Sequence, residues 1–227
     1  MKSRDANGLL ALLACLCLAA PAKAASSPNA LTAMMSRGGL HKITVKGIDL
    51  AYALPGATLA SYSKVKLDPV QVAFAKDWNP TQPGSPFPIS KADRERIREN
   101  VATTVYKAFA KELQGGNGYP VVSQAGPGVL GARIYIINLY VTVPPVLTQG
   151  QTISFSSSAG QGTLILQLYD SRTDKVLARV LDVKHADSGG PIIKNAVTNQ
   201  VQGEIVAEGW AKRLRRAFDK AHDIGKK

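Results

Sequence analysis

Apolar and polar residues alternate with period two over much of this chain, and twice the period lengthens to that of a helix. Ile48, Leu50 and Tyr52 alternate up to Pro55-Gly56, which predicts a short strand closed by a turn. Val65 and Leu67 alternate, as do Val70, Val72 and Phe74, but the two sets are out of phase. The slip falls at Asp68-Pro69. Proline donates nothing to a sheet ladder, so a bulge is expected there, on an edge strand or beside one. Arg133 to Val143 is the strongest strand pattern. Tyr135, Ile137, Leu139, Val141 and Val143 read as one apolar face, with Asn138 and Thr142 interrupting the other, until Pro144-Pro145 ends the run. Leu164, Leu166 and Leu168 alternate again, Asp170 to Asp174 has turn chemistry, and Val176 to Val183 returns, which together predict a hairpin.

The first helical stretch follows a proline-rich loop (Pro80, Pro83, Pro86, Pro88). Ser90 stands at its N-cap, with Asp93 favouring the first turn. Ile97, Val101, Val105, Ala108 and Leu113 lie on its apolar side, Arg94, Arg98 and Glu99 outside, and Gly115-Gly116 stops it. The second helix is expected from about Gln200 to His222. Val206, Trp210, Leu214, Ala217, Phe218 and Ala221 keep helical spacing, opposite Arg213, Arg216 and Lys220. Two segments read as irregular: 146–162, rich in Gly, Ser and Gln with a short strand around Ile153-Phe155, and a loop through Gly189-Gly190-Pro191. Strands, helix, strands and helix in this order predict an α+β two-layer sandwich, a mainly antiparallel sheet with two long helices packed on it.

The N-terminus has a different pattern. Lys2 and Arg4 precede twelve uncharged apolar residues, Leu9 to Ala20, and Ala22-Lys23-Ala24 offers the small-x-small pattern of a cleavage site. Twelve residues reach about 18 Å as a helix, too short for a bilayer, so 1–24 is expected to be a signal peptide. No other apolar run is long enough to span one. A second processing route stays open, because Leu12-Leu13-Ala14-Cys15 resembles a lipoprotein signal that would acylate Cys15. The expected location is the periplasm, or alternatively the outer membrane through that lipid. Residues 25–46 read as a loose lead-in with a Gly38-Gly39 pair, and 47–223 as a single globular domain.

Both cysteines, Cys15 and Cys17, fall in the leader, which leaves the remainder without disulfide or thiol chemistry. The formal net charge is +12. The leader holds Lys2, Arg4 and Lys23 against Asp5, so +10 remains beyond it. Half of that excess is terminal, where Lys212, Arg213, Arg215, Arg216, Lys220, Lys226 and Lys227 face only Asp219 and Asp223. An exported basic protein meets little nucleic acid. Its anionic partners are lipid head groups, acidic polymers and proteins, and Arg213, Arg216 and Lys220 form the candidate patch for them, weighed against a merely solvated helix face.

Catalytic constellations are harder to assemble. Asp187-Ser188-Gly189-Gly190-Pro191 resembles the nucleophile loop of chymotrypsin-like proteases, with His41 upstream. Ala186 stands where that motif opens with glycine, and the helix from Ser90 occupies sequence that a double barrel needs for strands. A turn explains the segment. His41, His185 and His222 share no metal-ligand spacing and read as surface residues, so neither metal nor cofactor is expected. Asp170 and Asp174 flank a turn instead of facing each other across a cleft. Gly115-Gly116-Asn117-Gly118 follows a helix, the wrong polarity for a phosphate loop. Trp210 keeps core spacing with Val206 and Leu214.

From about Leu59 to Lys220 the chain resembles the bacterial envelope family catalogued as domain of unknown function 3313. The resemblance rests on Tyr62-Ser63-Lys64-Val65 with Asp68-Pro69-Val70, Asp77-Trp78, the strand from Ala132 to Val143, Tyr169-Asp170-Ser171 with Val176-Leu177-Ala178, and Trp210-Ala211-Lys212-Arg213-Leu214. It implies an exported, often lipidated domain of no established activity. The expected function is a non-enzymatic binding or accessory domain whose partner is an envelope protein or an anionic envelope polymer or lipid. The alternative, a hydrolase using Ser188 or an acid pair, needs groups that the sequence does not bring together. Neither ligand nor oligomeric state is legible in these patterns.

Overall fold

In chain order the elements are α1 (Pro28–Ser36), β1 (His41–Ile43), β2 (Leu50–Ala53), β3 (Lys64–Leu67), β4 (Gln71–Phe74), α2 (Lys91–Gln114), β5 (Val129–Val141), β6 (Phe155–Asp170), β7 (Val176–Ile193) and α3 (Ala196–Ala221). The computed structural model describes residues 28–80, 88–141, 155–193 and 196–223. The seven strands form one mixed sheet in the order β1-β2-β7-β6-β5-β3, with β4 also on β5. β3 and β4 run parallel to β5, the other strand-to-strand pairings described are antiparallel, and Val65 of β3 makes an additional parallel bridge to Val121. Parallel neighbours need a crossover, and α2, between β4 and β5, supplies it.

The molecule is an α+β fold. α2 and α3 pack side by side on one face of the sheet, where Val105, Phe109, Leu113, Trp210, Leu214 and Phe218 meet Leu130, Ile134, Ile136, Leu164, Leu166 and Leu168. Ser90 caps α2 by accepting a bond from the Asp93 amide, and Gly115 closes it. The edge shows the slip at Asp68-Pro69. Leu67 pairs with Ala132 and Gln71 with Tyr135, so the edge carries one residue more than β5 over that interval.

Several expectations need correction. The lead-in is structured from Pro28 onward. α1 lies on the sheet face opposite the long helices, and its fully buried Met35 packs with Leu40, Tyr52 and Leu181. The Gly38-Gly39 pair, both at positive φ, turns the chain from α1 into β1 instead of loosening it. The small polar residues Ser156 to Gly162 belong to β6, held by the ladder to β7. Gly160 is needed there, because a Cβ would lie 2.3 Å from the Tyr140 carbonyl oxygen. Gly189-Gly190-Pro191 lies within β7, along a stretch where the pairing with β2 has ended and the ladder to β6 shifts register, an irregularity that accommodates a proline. Val143, Pro144-Pro145 and Ile153 lie outside the described residues.

The expected apolar face of β5 holds from Leu139 onward but is reversed before the bulge at Asn138. Leu130, Ala132, Ile134 and Ile136 are the residues buried under the helices, while Tyr135 and Ile137 point to the other face, half-buried. At Asn138, whose φ is +50°, a bulge inserts one residue against β6, and Leu139 rejoins the buried side. A one-residue bulge exchanges the two faces, so Leu139 is a core residue and Tyr135 is not. On α3, Ala207 and Ala211 complete the buried stripe and Ala217 is exposed. On α2, Arg94 and Arg98 lie over aromatic rings: the Arg94 guanidinium is 4.9 Å from the Trp78 ring centre and that of Arg98 5.7 Å from Phe74.

Candidate functional site

The predicted cationic face of α3 divides into two kinds of residue. Arg213 turns back on its own helix, donating to the Gly209 carbonyl at 2.8 Å, with its guanidinium against Gly47. Arg215 points the other way. It donates to the carbonyls of Glu112 (3.2 Å), Leu113 (3.3 Å) and Gly115 (2.8 Å), and its Nε bonds Asp219 at 2.8 Å. A guanidinium therefore closes the carbonyl end of α2, where a positive charge is favourable. Lys212 pairs with Glu208 at 3.6 Å. Arg216 and Lys220 are exposed one helical turn apart and have no ion pair among the described residues. Cys15, Lys226 and Lys227 lie outside the described residues.

A second polar cluster lies on the opposite side of the sheet, built from the face of β5 that the sequence pattern assigned to the core. Tyr169 on β6 lies flat over Gly131, where a Cβ would come within 2.1 Å of the ring. Its hydroxyl donates to Asp68 at 2.6 Å and accepts from Lys66 at 3.4 Å, while Lys66 also pairs with Asp68. Arg133 stacks on the Tyr169 ring at 4.1 Å, with Nε 3.3 Å from Asp68 and Nη2 2.5 Å from Asp174. Burial alone would lift the Asp68 carboxyl, but the bonds from Lys66 and Tyr169 outweigh it and hold its pKa below the ordinary 3.8. The bond to Asp68 raises the Lys66 pKa, so this pair stays ionised. Beside the cluster is a shallow depression of about 270 Å³ lined by Asp68, Pro69, Gln71, Arg133, Ile134 and Tyr135.

The model of the family described as "Protein of unknown function (DUF3313)" matches residues 41–214. The chain belongs to the DUF3313 family. The DUF3313 match spans β1 to most of α3, and several residues that carried the resemblance bond one another in the fold. Tyr62 donates to Asp170 (3.1 Å), Tyr140 bonds Asp77, and the Trp78 indole donates to the Val141 carbonyl (3.0 Å). No curated protein matches this chain. Among solved structures it is similar to protein XCC0632 from Xanthomonas campestris, of the DUF330 family, at 11% identity and TM-score 0.40, covering 74% of this chain and 92% of that one. It is also similar to the PelC dodecamer from Paraburkholderia phytofirmans, at 9% identity and TM-score 0.36, covering 73% and 96%. Likenesses of this size carry no functional weight for the DUF3313 chain.

The remaining sequence candidates separate. His41 on β1 is level with Ala53 and hence with Ala178 on β7, ten residues from Ser188 along the strand. That is about 33 Å at strand rise, far beyond any hydrogen bond. The side chains of His185 and Ser188 lie outside the described residues, and Asp187-Ser188 is strand where a turn was expected. The Asp170 carboxylate is occupied by its own turn, accepting from the amides of Arg172 (3.1 Å) and Thr173 (2.9 Å), while Asp174 is taken up by Arg133. His222 is half-buried instead of at the surface, stacked on Phe218. Sequence reading missed the Lys66–Asp68–Arg133–Tyr169 cluster. Its one legible signal was the placement of Lys66 and Arg133 at strand positions that an all-apolar face would not hold, with Asp68 at the break just after Leu67.

Proposed function

We propose that the chain is an exported, non-enzymatic binding or accessory domain of the cell envelope that engages an anionic lipid or polymer through the outer face of α3. The observation that carries this reading is the contrast on that helix. Arg213 and Arg215 are spent on the fold, whereas Arg216 and Lys220 stand exposed, one turn apart and without an ion pair among the described residues. Each cation near an anionic surface adds about 1 kcal/mol, and salt screens it over a Debye length of about 8 Å at physiological strength. The sequence of residues 1–24 supports export, with release into the periplasm after Ala24 or retention at the outer membrane through Cys15.

The test is co-sedimentation with vesicles containing an anionic phospholipid at low and physiological salt. The wild-type chain should bind at low salt and lose binding as salt rises. Arg216→Gln with Lys220→Gln should abolish it with the melting temperature unchanged. No binding even at low ionic strength would reduce the patch to a solvated face. Mass spectrometry of the N-terminus from fractionated cells then decides between Ala25 in the osmotic-shock fluid and an acylated Cys15 in the membrane.

A further inference from the structure

We propose that the depression on the open face of the sheet, between the β3–β4 edge and β5, binds one neutral sugar ring. The site is separate from the basic face of α3, which belongs to the layer on the other side of the sheet. Its polar groups fall into a fixed set and a free set. The fixed set is Lys66, Asp68, Arg133, Tyr169 and Asp174, bonded to one another as described. Their two positive and two negative charges cancel, so the site exerts no net attraction for an anion or a cation. That neutrality separates its ligand chemistry from that of α3.

The free set is what a ligand would meet. Gln71 is directly opposite Tyr135 in the β4–β5 register, so both side chains rise from the same face. Neither the Gln71 amide nor the Tyr135 hydroxyl has a hydrogen bond among the described residues, and Nη1 of Arg133 is likewise unspent. These groups supply one guanidinium donor, an amide that donates and accepts, and a phenol that does both. Adjacent sugar hydroxyls, each a donor and an acceptor, match that pattern. The Tyr135 ring offers an apolar plate for the C–H face of the ring. The volume, about 270 Å³, lies just below the ~300 Å³ at which sites for drug-sized molecules begin and suits one ring unit. Pre-organisation comes from the stack of Arg133 on Tyr169 and the bulge at Asp68-Pro69, which aims the Asp68 carboxylate across at Arg133.

The experiment is amide chemical-shift mapping of the full exported chain with glucose and with N-acetylglucosamine, and with inorganic phosphate as the charged control. A saturating shift with at least one sugar is expected at Asp68, Gln71 and Arg133 to Tyr135, and none with phosphate. Gln71→Ala and Tyr135→Phe each remove one hydrogen-bonding group from an accessible face and should weaken binding about two- to tenfold. Their spectra should otherwise match wild type, which shows that the fold is intact. Arg216→Gln with Lys220→Gln should leave sugar binding unchanged, so this site and the α3 patch fail or stand separately. Absence of a saturating shift with both sugars would overturn the proposal. So would shifts located elsewhere, shifts indifferent to both site variants, or the same shifts with phosphate.

Discussion

Asp182 is fully buried beneath α3, and its carboxylate is met from three directions. The Trp210 indole donates to it at 2.8 Å, the Asp49 amide at 3.3 Å, and Lys184 reaches it at 2.9 Å. A buried charge is tolerated only when donors surround it, so Trp210 is both a core side chain and part of that shell. Trp210→Ala should cost about 3–5 kcal/mol through the cavity it leaves. Trp210→Phe keeps most of the volume but removes one donor from a carboxylate oxygen that Lys184 still reaches, and should cost about 0.5–1.5 kcal/mol. Urea denaturation measures both, and a Phe variant as stable as wild type would show that the indole bond contributes nothing. The helical spacing of Trp210 marked it as core from sequence. Its partner, 28 residues earlier on a strand, was not legible, because periodicity tells which face a residue occupies and not what lies across from it.

Elements were legible where one signal dominated. Ser90, the 3.6-residue period and Gly115-Gly116 together delimited α2, and the out-of-phase pairs around Pro69 located the bulge on the edge. On β5 the reading reversed before the bulge because both faces carry large apolar side chains from Ile134 to Ile137, so composition did not choose between them and the bulge at Asn138 exchanged them along the strand. The Gly/Ser-rich run in β6 failed for the converse reason: a backbone ladder needs no apolar side chain. Neither failure touches the join between the long helices, which hangs on Arg215. Replacing it by Met keeps the aliphatic stem and removes the bonds to two α2 carbonyls and to that of its cap, Gly115. Charged hydrogen bonds of this kind contribute about 1.5–3 kcal/mol together with the desolvated acceptors they leave. Arg215→Met should lower stability by that order and speed hydrogen exchange at Tyr119, whose amide bonds the Leu113 carbonyl. Unchanged exchange there would show that α2 ends without help from α3.

At the scale of the molecule, the titrating groups set limits on both sides of neutrality. Tyr62 and Tyr119 are pushed up to about 12, each first by burial and then by a bond to a carboxylate, Asp170 and Asp219 respectively. The folded state thus favours the neutral phenol. Stability from this source is complete below the ordinary value of 10.0 and is lost as pH rises towards 12. On the acid side, bonds from the Thr173 side chain and amide hold Asp170 below 3.8, and Asp68 is held below it as well. Those contributions are present above 3.8 and fade as pH falls through the lower folded values. Tyr140 and Tyr169 are raised as well, by a bond to Asp77 and by burial respectively, so tyrosinate absorbance should show several phenols titrating late in the folded chain, one fewer in Tyr62→Phe and one fewer in Tyr119→Phe. A single common titration would contradict the burial of both hydroxyls.

The broken edge has a consequence for how copies of this chain meet. A sheet grows by adding strands to an unpaired edge, and growth needs a template long enough to hold register. At one border β1 offers three residues, two of them His41 and Lys42. At the other, Val65 of β3 is already bonded on its outer side to Pro120 and Val122, and β4 adds four residues, offset by the extra residue at Asp68-Pro69. An incoming strand in step with β4 is out of step with β3, and the Pro69 nitrogen has no hydrogen to give. These two borders are self-terminating, a brake on the addition of further strands at either of them.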